Sequence, residues 1–500
     1  MTDPMTATRK AATAAIAPAT ATARDPRFAL GQSVGLAAFV WGYPLVETFR
    51  TCRLQTLAGD SDTVAWRSDI DRLQHVQRAS TAADRDVVTP ANDLLYTTGW
   101  INLANGPRLL HVPSSKKHGG RYFVLALYDA WTNNFENPGL RTSPPQGETV
   151  VLLGPGAPVN HPLPAGARVV RSPTDLVWLI ARVVVGQSGG AGDDIADDPD
   201  ISTGTDVLAD VVAARALQAD IRLECPPGTD SGGHPVAVKN WVGEPQDTMA
   251  ALLERPGDAA AIAGSFFTNL CQCLADAPPA LEDTGLAAWF TRGKLVPGKI
   301  FDWAWLDAPL RDGLLQGLLD AAALLVSGSR SHIARPWAAS FAMGRYGHNT
   351  LTRALTAYKG LGGLASDEAV YAMGDFDADK QPLHGGTRYV MRFEPGDLPP
   401  VDAFWSVTMY DADRFLYPNP MGRYAIGDRT PGLQRDPDGG LSLLIGHQPP
   451  PGAVSAASTA NWLPAPAGSF YLILRMYCPR PEARTWRIPP LARVPSLTSS

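Results

Sequence analysis

The stretch Val87–Arg141 decides the fold, and it reads VVTPANDLLYTTGWINLANGPRLLHVPSSKKHGGRYFVLALYDAWTNNFENPGLR. Short apolar runs at 100–103, 108–112 and 121–129, separated by glycine and proline, predict three short strands. A proline-led turn precedes the first strand, and Asp129 ends the last. Binding and catalytic sites are often formed by acidic, amide and aromatic side chains at the ends of strands, where a rigid sheet holds them in place. We therefore expect functional residues in this stretch.

The composition is that of a globular protein, with 45% hydrophobic and 18% charged residues in a chain of 500. This length is too great for one core, so we expect two or three domains. The net charge of -6 argues against a nucleic-acid partner, which would require a basic face. Five scattered cysteines predict buried free thiols rather than disulfides. The nine histidines form no metal-binding motif, so we expect no metal.

The first 26 residues are rich in alanine and threonine, which resembles a secretory signal. Ile16 is the only large apolar residue in its middle, and Pro18 interrupts it, so a disordered tail is the better interpretation. No apolar run reaches the ~18 residues that a membrane span needs. We therefore expect a soluble cytoplasmic protein with no membrane partner, with a secreted or periplasmic location as the alternative.

Residues 31–57 have apolar positions at helical spacing, and Glu47 and Arg50 are placed to pair on one face. Ser172-Pro173-Thr174-Asp175 has the pattern of a helix start, which predicts a helix to about Val185. The acidic, glycine-rich segment 186–205 lacks the order of a calcium loop and predicts a solvated loop. We find no internal repeat.

The predicted fold class is α+β: an N-terminal mixed α/β region with an antiparallel sheet, a helical middle and a C-terminal antiparallel β-sandwich. The helices of the middle give way after residue 385 to strands separated by turn signals. The expected organisation is, in order, a disordered tail at 1–26, a sheet-plus-helix domain at 27–185, the acidic loop at 186–205, a mainly helical region at 206–363 and the β-sandwich at 364–500.

Two blocks of sequence resemble a known family. The first is WGYPLV at 41–46 with TPANDLLY at 89–96, and the second is PPVDAFWSVTMYD at 399–411 with NWLPAP at 461–466. Together they resemble the bacterial two-domain family that pairs the domains of unknown function DUF1254 (N-terminal) and DUF1214 (C-terminal). The resemblance covers about residues 30 to 490. It implies an α+β protein with β-sandwich parts and a helical insertion, and it implies no settled reaction.

In one place the chain departs from that family. Where the family's Asn-Asp turn more often continues with threonine, this chain has Leu94, so a hydroxyl contact from that position is not expected.

The catalytic candidates are Asp93, Tyr96 and Asp129. A carboxylate beside a phenol can share a proton, and burial would raise the pKa of the aspartate toward neutrality. The alternative is that Asn92 and Asp93 form an Asx-turn, which would satisfy local backbone groups and serve only the fold.

The substrate-binding candidates include Arg121 and Arg141, which flank the strand that ends at Asp129. A guanidinium can clamp a substrate carboxylate by two parallel hydrogen bonds. The alternative is an internal Arg–Asp pair that fixes the strand ends. The other candidates are aromatic or amide side chains, Tyr43, Asn92, Trp131 and Tyr410. Trp405 is expected in the core, because strand alternation places it with Val407 and Met409 on one face.

We therefore expect an enzyme that acts on a small, partly apolar metabolite by side-chain acid/base chemistry, through hydrolysis, elimination or isomerisation. No organic cofactor and no partner beyond the small-molecule substrate are expected, although a homodimer is allowed. The alternative is a non-catalytic β-sandwich protein that binds, for example, carbohydrate. An enzyme should gather its polar groups in one closed pocket, whereas a binding module should expose an aromatic platform.

Overall fold

The computed structural model describes residues 25–57, 66–85, 89–158, 164–186, 205–226, 229, 231–329, 335–453, 455 and 457–494. Most of the expected N-terminal tail and of the acidic loop lies outside the described residues. Within them, the chain has an α+β fold with a helical middle and a C-terminal pair of mainly antiparallel sheets.

The helices are, in chain order, α1 (Pro26–Thr56), α2 (Thr205–Ala219), α3 (Val236–Lys239), α4 (Thr248–Glu254), α5 (Ala259–Asp276), α6 (Thr284–Phe290), α7 (Ala308–Ser329) and α8 (Thr350–Gly360). Helix α1 begins where the Asp25 carboxylate accepts a hydrogen bond from the Arg27 amide and Pro26 occupies the first turn. The predicted ion pair on this helix is confirmed, since Arg50 Nε lies 2.7 Å from Glu47 Oε2.

Glycines on both helices allow the backbones of α1 and α7 to pack directly against each other. A Cβ at Gly31 or Gly35 would lie 2.2 or 2.1 Å from a carbonyl oxygen of α7, and one at Gly313 or Gly317 would meet α1 in the same way. By length and composition α1 could cross a membrane, which the sequence analysis did not expect. Most of its apolar window is buried inside the molecule, so α1 has the packing of a core helix.

The first nine strands form two sheets that pack face to face. They are β1 (Gln74–His75), β2 (Leu94–Asn102), β3 (Arg108–Val112), β4 (Phe123–Asp129), β5 (Asn134–Glu136), β6 (Glu148–Leu153), β7 (Arg168–Arg171), β8 (Leu176–Val184) and β9 (Arg222–Glu224). The five-stranded sheet has the order β1-β2-β8-β4-β5, and the four-stranded sheet has the order β7-β6-β3-β9. Inward side chains such as Leu110, Leu125 and Leu179 form their common core.

The remaining nine strands form a second sandwich. They are β10 (Ala338–Ser340), β11 (Ala369–Gly374), β12 (Tyr389–Phe393), β13 (Val401–Asp411), β14 (Ala425–Gly427), β15 (Leu441–Gly446), β16 (Trp462–Pro464), β17 (Phe470–Pro479) and β18 (Leu491–Arg493). The sheet orders are β10-β11-β17-β13-β14 and β16-β15-β12-β18. The core between these sheets includes Trp405, which is 2% exposed as the alternation predicted, together with Met391 and Leu443.

The two sandwiches have the same topology, because each strand of the first corresponds to the strand nine places later in the second. Even the parallel pair is repeated, as β6 with β7 and β15 with β16, while the other pairs in both sandwiches are antiparallel. The chain therefore contains an internal structural duplication. No repeat was expected from the sequence, because the identical residues of the two copies are few and scattered. They include a Tyr-Asp pair at the ends of β4 and β13 and one arginine in each of β8 and β17.

Strand register fixes which residues correspond. Asp129 pairs with Val177 on the central strand β8, and Arg182 follows five residues later on that strand. Asp411 pairs with Phe470 on β17, and Arg475 follows at the same interval. On the other side, Tyr96 pairs with Arg182, and Tyr371 pairs with Arg475. Each five-stranded sheet thus carries one cross-strand Tyr–Arg pair in its centre.

The predicted helix at 172–185 is wrong, because this segment is the central strand β8. Every residue of β8 is buried, since the strand is covered on both faces, by the four-stranded sheet and by the helices. A strand covered on both faces appears in sequence as a continuous apolar run, which periodicity cannot distinguish from a buried helix. Four of the five cysteines are buried free thiols, as expected, and Cys225 is exposed.

Candidate functional site

A cavity of about 290 Å³ lies between the two five-stranded sheets. Its walls come from β2 and β8 of the first sandwich, from β10, β11 and β17 of the second, and from α8 with the turn after it. Both Tyr–Arg pairs line it, so the duplication brings equivalent residues from the two copies to one place. We call it the first cavity.

Arg182 is held at the first-sandwich wall by polar groups around it. Its Nη2 donates to the Gly362 carbonyl at 2.7 Å, and its Nη1 lies 3.4 Å from the hydroxyl of Tyr128. The guanidinium carbon is 5.9 Å from the centre of the Tyr96 ring. The fixed position of this buried cation makes it a candidate anchor for an anion.

Arg475 has the corresponding place in the second sandwich. Its Nη1 donates to Thr408 Oγ1 at 2.9 Å, and its Nη2 donates to the Thr89 carbonyl at 2.8 Å. The guanidinium carbon lies 5.9 Å from the Tyr371 ring, the same distance as in the equivalent pair. The second copy therefore supplies a second fixed cation to the first cavity.

Lys359 is the third cation of the lining, and it comes from α8. No hydrogen bond or ion pair joins its amino group to the residues that the structure describes. Burial lowers the pKa of Lys359, while the negative charge of Asp375 opposes that shift. A larger fraction of this amine is therefore neutral near pH 7 than for an exposed lysine.

Tyr96, a predicted catalytic residue, does line the first cavity. Its hydroxyl oxygen accepts a hydrogen bond from the Ala91 amide at 3.0 Å, and its ring lies 4.8 Å from that of Trp66. Burial raises the pKa of Tyr96, and the charges of Arg182 and Arg475 oppose that rise. The phenol is therefore a proton donor rather than a base near neutral pH.

Asp93 lies behind this wall rather than in it. It is 1% exposed, and neither of its carboxylate oxygens has a hydrogen-bond partner among the described residues. The predicted alternative of an Asx-turn is therefore wrong for Asp93. Its negative charge acts on neighbouring lining residues and contributes to the raised pKa of Tyr477 and of Arg475.

Two of the predicted binding residues support the turn before β2. Asn92 Nδ2 donates to the Ser80 carbonyl at 2.7 Å, and the Tyr410 hydroxyl donates to the Pro90 carbonyl at 2.7 Å. Because Thr89 and Pro90 line the first cavity, Asn92 and Tyr410 shape its wall without lining it themselves.

Asp129 and Trp131 line a second, separate cavity of about 710 Å³. The carboxylate of Asp129 accepts hydrogen bonds from the amides of Trp131 and Asn133 and from Asn133 Nδ2, each at 2.9 Å. This is the Asx-turn that was expected at Asp93. Burial raises the pKa of Asp129 to about 6, although these hydrogen bonds oppose the rise.

Three further predicted binding residues also line neither cavity, and each has a structural partner. The Tyr43 hydroxyl donates to Asp247 at 3.3 Å within the helical region. Arg121 donates to Asp210 and to the Val184 carbonyl, both at 2.6 Å. Arg141 donates to Glu368 at 2.7 Å, which ties the two sandwiches together. Neither arginine forms the expected pair with Asp129.

The residues that sequence reasoning missed are Arg182, Lys359, Tyr371 and Arg475. They belong to distant segments, and Arg182 was placed on a helix. One signal was available, since β8 (LVWLIARVV) and β17 (FYLILRMYCP) each carry a single arginine in an otherwise apolar run. A buried arginine must have partners, so a lone one in a central strand indicates a site.

No group of three His, Cys, Asp or Glu side chains within the described ranges is placed to hold a metal ion. The solved structures similar to this chain include the VPA0106 protein from Vibrio parahaemolyticus, at 21% identity and a TM-score of 0.61, covering 93% of this chain and 100% of that one. An uncharacterized protein from Burkholderia cenocepacia aligns at 12% identity and a TM-score of 0.39, covering 91% of this chain and 88% of that one. The first likeness supports the fold.

No curated protein matches the chain. Two family models do match it, each described as a protein of unknown function: DUF1254 over residues 70–224 and DUF1214 over residues 368–481. The first match ends with β9 and the second lies within the other sandwich, so each model corresponds to one copy of the duplication. Together they cover more than half of the chain, which therefore belongs to the family that pairs DUF1254 with DUF1214.

Proposed function

We propose that the chain is an enzyme that binds a small, partly apolar anion in the first cavity and transfers a proton to or from it. The observation that carries the proposal is the charge of the lining, which among the described residues includes Arg182, Lys359 and Arg475 and no aspartate or glutamate. The surfaces between these cations are apolar and aromatic, for example Trp178, Ile180 and Ile473. Attraction between opposite charges is strong in such surroundings, because little water screens it.

The two arginines have donors to spare for a ligand. A guanidinium has five N–H groups, and the described protein accepts three hydrogen bonds from Arg182 and two from Arg475. Carboxylates are the anions that such donors bind best, because two N–H groups can meet two oxygens. A small carboxylate with an apolar remainder therefore fits both the charge and the walls.

Lys359 is the residue that we assign to proton transfer. A neutral amine can accept a proton, and burial favours that form of Lys359. Removing a proton next to a carboxylate or carbonyl moves negative charge onto the oxygens, where the two guanidiniums would stabilise it. This chemistry leads to isomerisation or elimination, which we favour over hydrolysis for that reason.

Asp93 is a positioning residue in this proposal. Its buried charge acts on Arg475 and Tyr477, which do line the cavity, but the carboxylate itself does not reach the ligand. The negative charge of Asp93 would stabilise the positive charge of Arg475, and Asp93 would not exchange protons with the substrate.

The test measures exchange of carbon-bound hydrogen, which requires no knowledge of the final product. A panel of small carboxylates and keto acids is incubated with the protein in D₂O, and loss of the C–H signal is followed by NMR. Thermal shifts against the same panel and the matching neutral amides report binding. We expect carboxylates to stabilise the protein, amides not to do so, and at least one carboxylate to lose its C–H signal.

Lys359→Met is the deciding variant, because it keeps the length of the side chain and removes the amine. We expect exchange to fall by about 10²-fold or more, the usual size of acid/base assistance. The control is Lys299→Met, which removes an exposed lysine that does not line the cavity. Binding of carboxylates without exchange in the unmodified protein would contradict the enzyme and leave a binding protein, and no selective binding would contradict the site.

A further inference from the structure

The second cavity shares no residue with the lining of the first. It lies beside the turn after β4, the segment that follows α5, and residues 345–348. Helix α8 separates the two cavities, since Lys359 lines the first and Arg353 lines the second. The function proposed above makes no use of this second space.

Arg353 has an unusual environment. It is 5% exposed, yet its guanidinium donates no hydrogen bond to the residues that the structure describes, and Nε and Nη2 are fully covered. Its contact is with the Trp131 ring, 5.2 Å from the guanidinium carbon, and the Trp131 Nε1 also lacks a partner. Buried donors without acceptors cost free energy, so a ligand that accepts hydrogen bonds from these groups would recover that cost on binding.

Several carboxylates line the same cavity, but none of them forms an ion pair with Arg353. Asp129 and Asp283 act on Arg353 through their charge, but neither is near enough to form an ion pair with it. The other acids of the lining are Asp175, Asp276 and Glu282. The lining also includes Arg345, which is exposed and pairs with Asp367 at 3.3 Å, so Arg353 is the cation of the lining that has no ion pair among the described residues. The cavity therefore holds opposite charges that face a common space and remain apart.

We propose that the second cavity binds a small zwitterion of the amino-acid type, with its carboxylate toward Arg353 and its amino group toward Asp283 and the other acids. A simple anion would be repelled by the five carboxylates, and a simple cation would leave Arg353 unpaired. A ligand that carries both charges satisfies both sets. Trp131, Phe135 and the prolines of the wall leave room for an apolar side chain.

The experiment compares matched probes by calorimetry on the full chain. L-phenylalanine is measured against phenethylamine, which lacks the carboxylate, and 3-phenylpropionate, which lacks the amino group. L-leucine is measured against the corresponding amine and acid. We expect both amino acids to bind and each analogue to bind at least about tenfold more weakly, as the loss of one charge-assisted hydrogen bond implies.

Arg353→Met should abolish the preference for each amino acid over the amine that lacks its carboxylate, while leaving the protein folded, because the guanidinium has no hydrogen bond to lose. Arg311→Met removes an exposed arginine of α7 and is the control. If Arg353→Met unfolds, Asp283→Asn serves instead and should weaken the amino acids more than the deaminated acids. Lys359→Met should leave this binding intact, which separates a failure here from a failure at the first cavity.

Three results would overturn the proposal. They are the absence of binding by both amino acids, equal binding of a zwitterion and its analogues, and unchanged binding by folded Arg353→Met protein.

Discussion

The two sandwiches repeat one architecture, yet they treat an equivalent acidic residue in opposite ways. Asp93 and Glu368 stand at the same place before β2 and β11, since Val185 donates its amide to the carbonyl of Asp93 and Cys478 donates to that of Glu368. The Glu368 carboxylate accepts hydrogen bonds from Tyr122 at 2.8 Å and from Arg141 at 2.7 Å. The Asp93 carboxylate accepts none from the described residues.

The partners explain this difference. Tyr122 corresponds by strand register to Phe404, which has no hydroxyl group to donate. These two equivalent positions touch each other, with ring centres 5.4 Å apart, so the two copies meet there. One copy thus has a satisfied carboxylate that joins the sandwiches, and the other has an unsatisfied one beside the first cavity. Comparing the two copies separates structural polar residues from others. Glu368 has hydrogen-bond partners and stabilises the fold, whereas the equivalent Asp93 has none among the described residues, so we assign it a role outside the fold.

The largest expected effect tests whether the two cores are equivalent. Trp405 and Phe123 occupy corresponding positions and are 2% and 1% exposed. Trp405→Ala and Phe123→Ala should each lower the free energy of unfolding by about 3–5 kcal/mol, measured by urea denaturation, because each leaves a cavity in a packed core. An effect below about 1 kcal/mol for either variant would show that its sandwich is loosely packed and would break the comparison.

The second prediction tests the two acids directly. Glu368→Gln replaces hydrogen bonds to a charged group by weaker ones and should cost about 1.5–3 kcal/mol in unfolding free energy. Asp93→Asn has no hydrogen bond to lose and should change stability by less than about 1 kcal/mol. The same proteins are then assayed for C–H exchange, where Asp93→Asn should reduce activity and Glu368→Gln, corrected for unfolded protein, should not. The reverse pattern in either measurement would contradict the assignment.

A third prediction concerns α8, which has no counterpart among the described residues between β1 and β2. Because burial lowers the pKa of Lys359 below its unfolded value, the folded protein binds fewer protons than the unfolded chain between those two pKa values. Lys359→Met should therefore be more stable than the unmodified protein near pH 7, and this advantage should shrink as the pH rises toward that of a free lysine. Thermal midpoints of both proteins across that range check the sign. A constant difference would mean that the amine is not desolvated.

How much of this was predictable differs between the fold and the site. The strands that contain Trp100 and Asp129 and the C-terminal sheets follow from local patterns of apolar residues and turns, which need no knowledge of distant contacts. The predicted start of β2 was wrong, because this strand begins at Leu94 and includes Tyr96. The cavity does not follow in this way, because Arg182, Lys359 and Arg475 lie far apart in sequence and meet only through the packing of two sheets. Asp93 and Asp129 illustrate the limit, since both looked alike in sequence and only their hydrogen bonds separate them.

The smallest expected effect concerns a turn that both sandwiches share. Asp129 and Asp411 each accept hydrogen bonds from the amides two and four residues later, and the residue after the first of these, Thr132 or Arg414, has a φ of 69° or 74°. A left-handed conformation is costly for any residue with a Cβ, and most of all for a β-branched one. Thr132→Gly should therefore raise the unfolding free energy by about 0.5–1 kcal/mol.

Arg414→Gly should bring no such gain, although Arg414 also has a left-handed backbone conformation. The Arg414 Nη1 donates to the Tyr358 carbonyl at 3.0 Å, and its guanidinium carbon lies 5.2 Å from the Tyr358 ring, so the glycine loses an anchor to α8. Thr132→Ala is the control, because it removes the branch but leaves a Cβ at positive φ, and it should recover less than half of the gain. If Thr132→Gly were destabilising by urea denaturation, the threonine side chain would be contributing contacts that outweigh its strain.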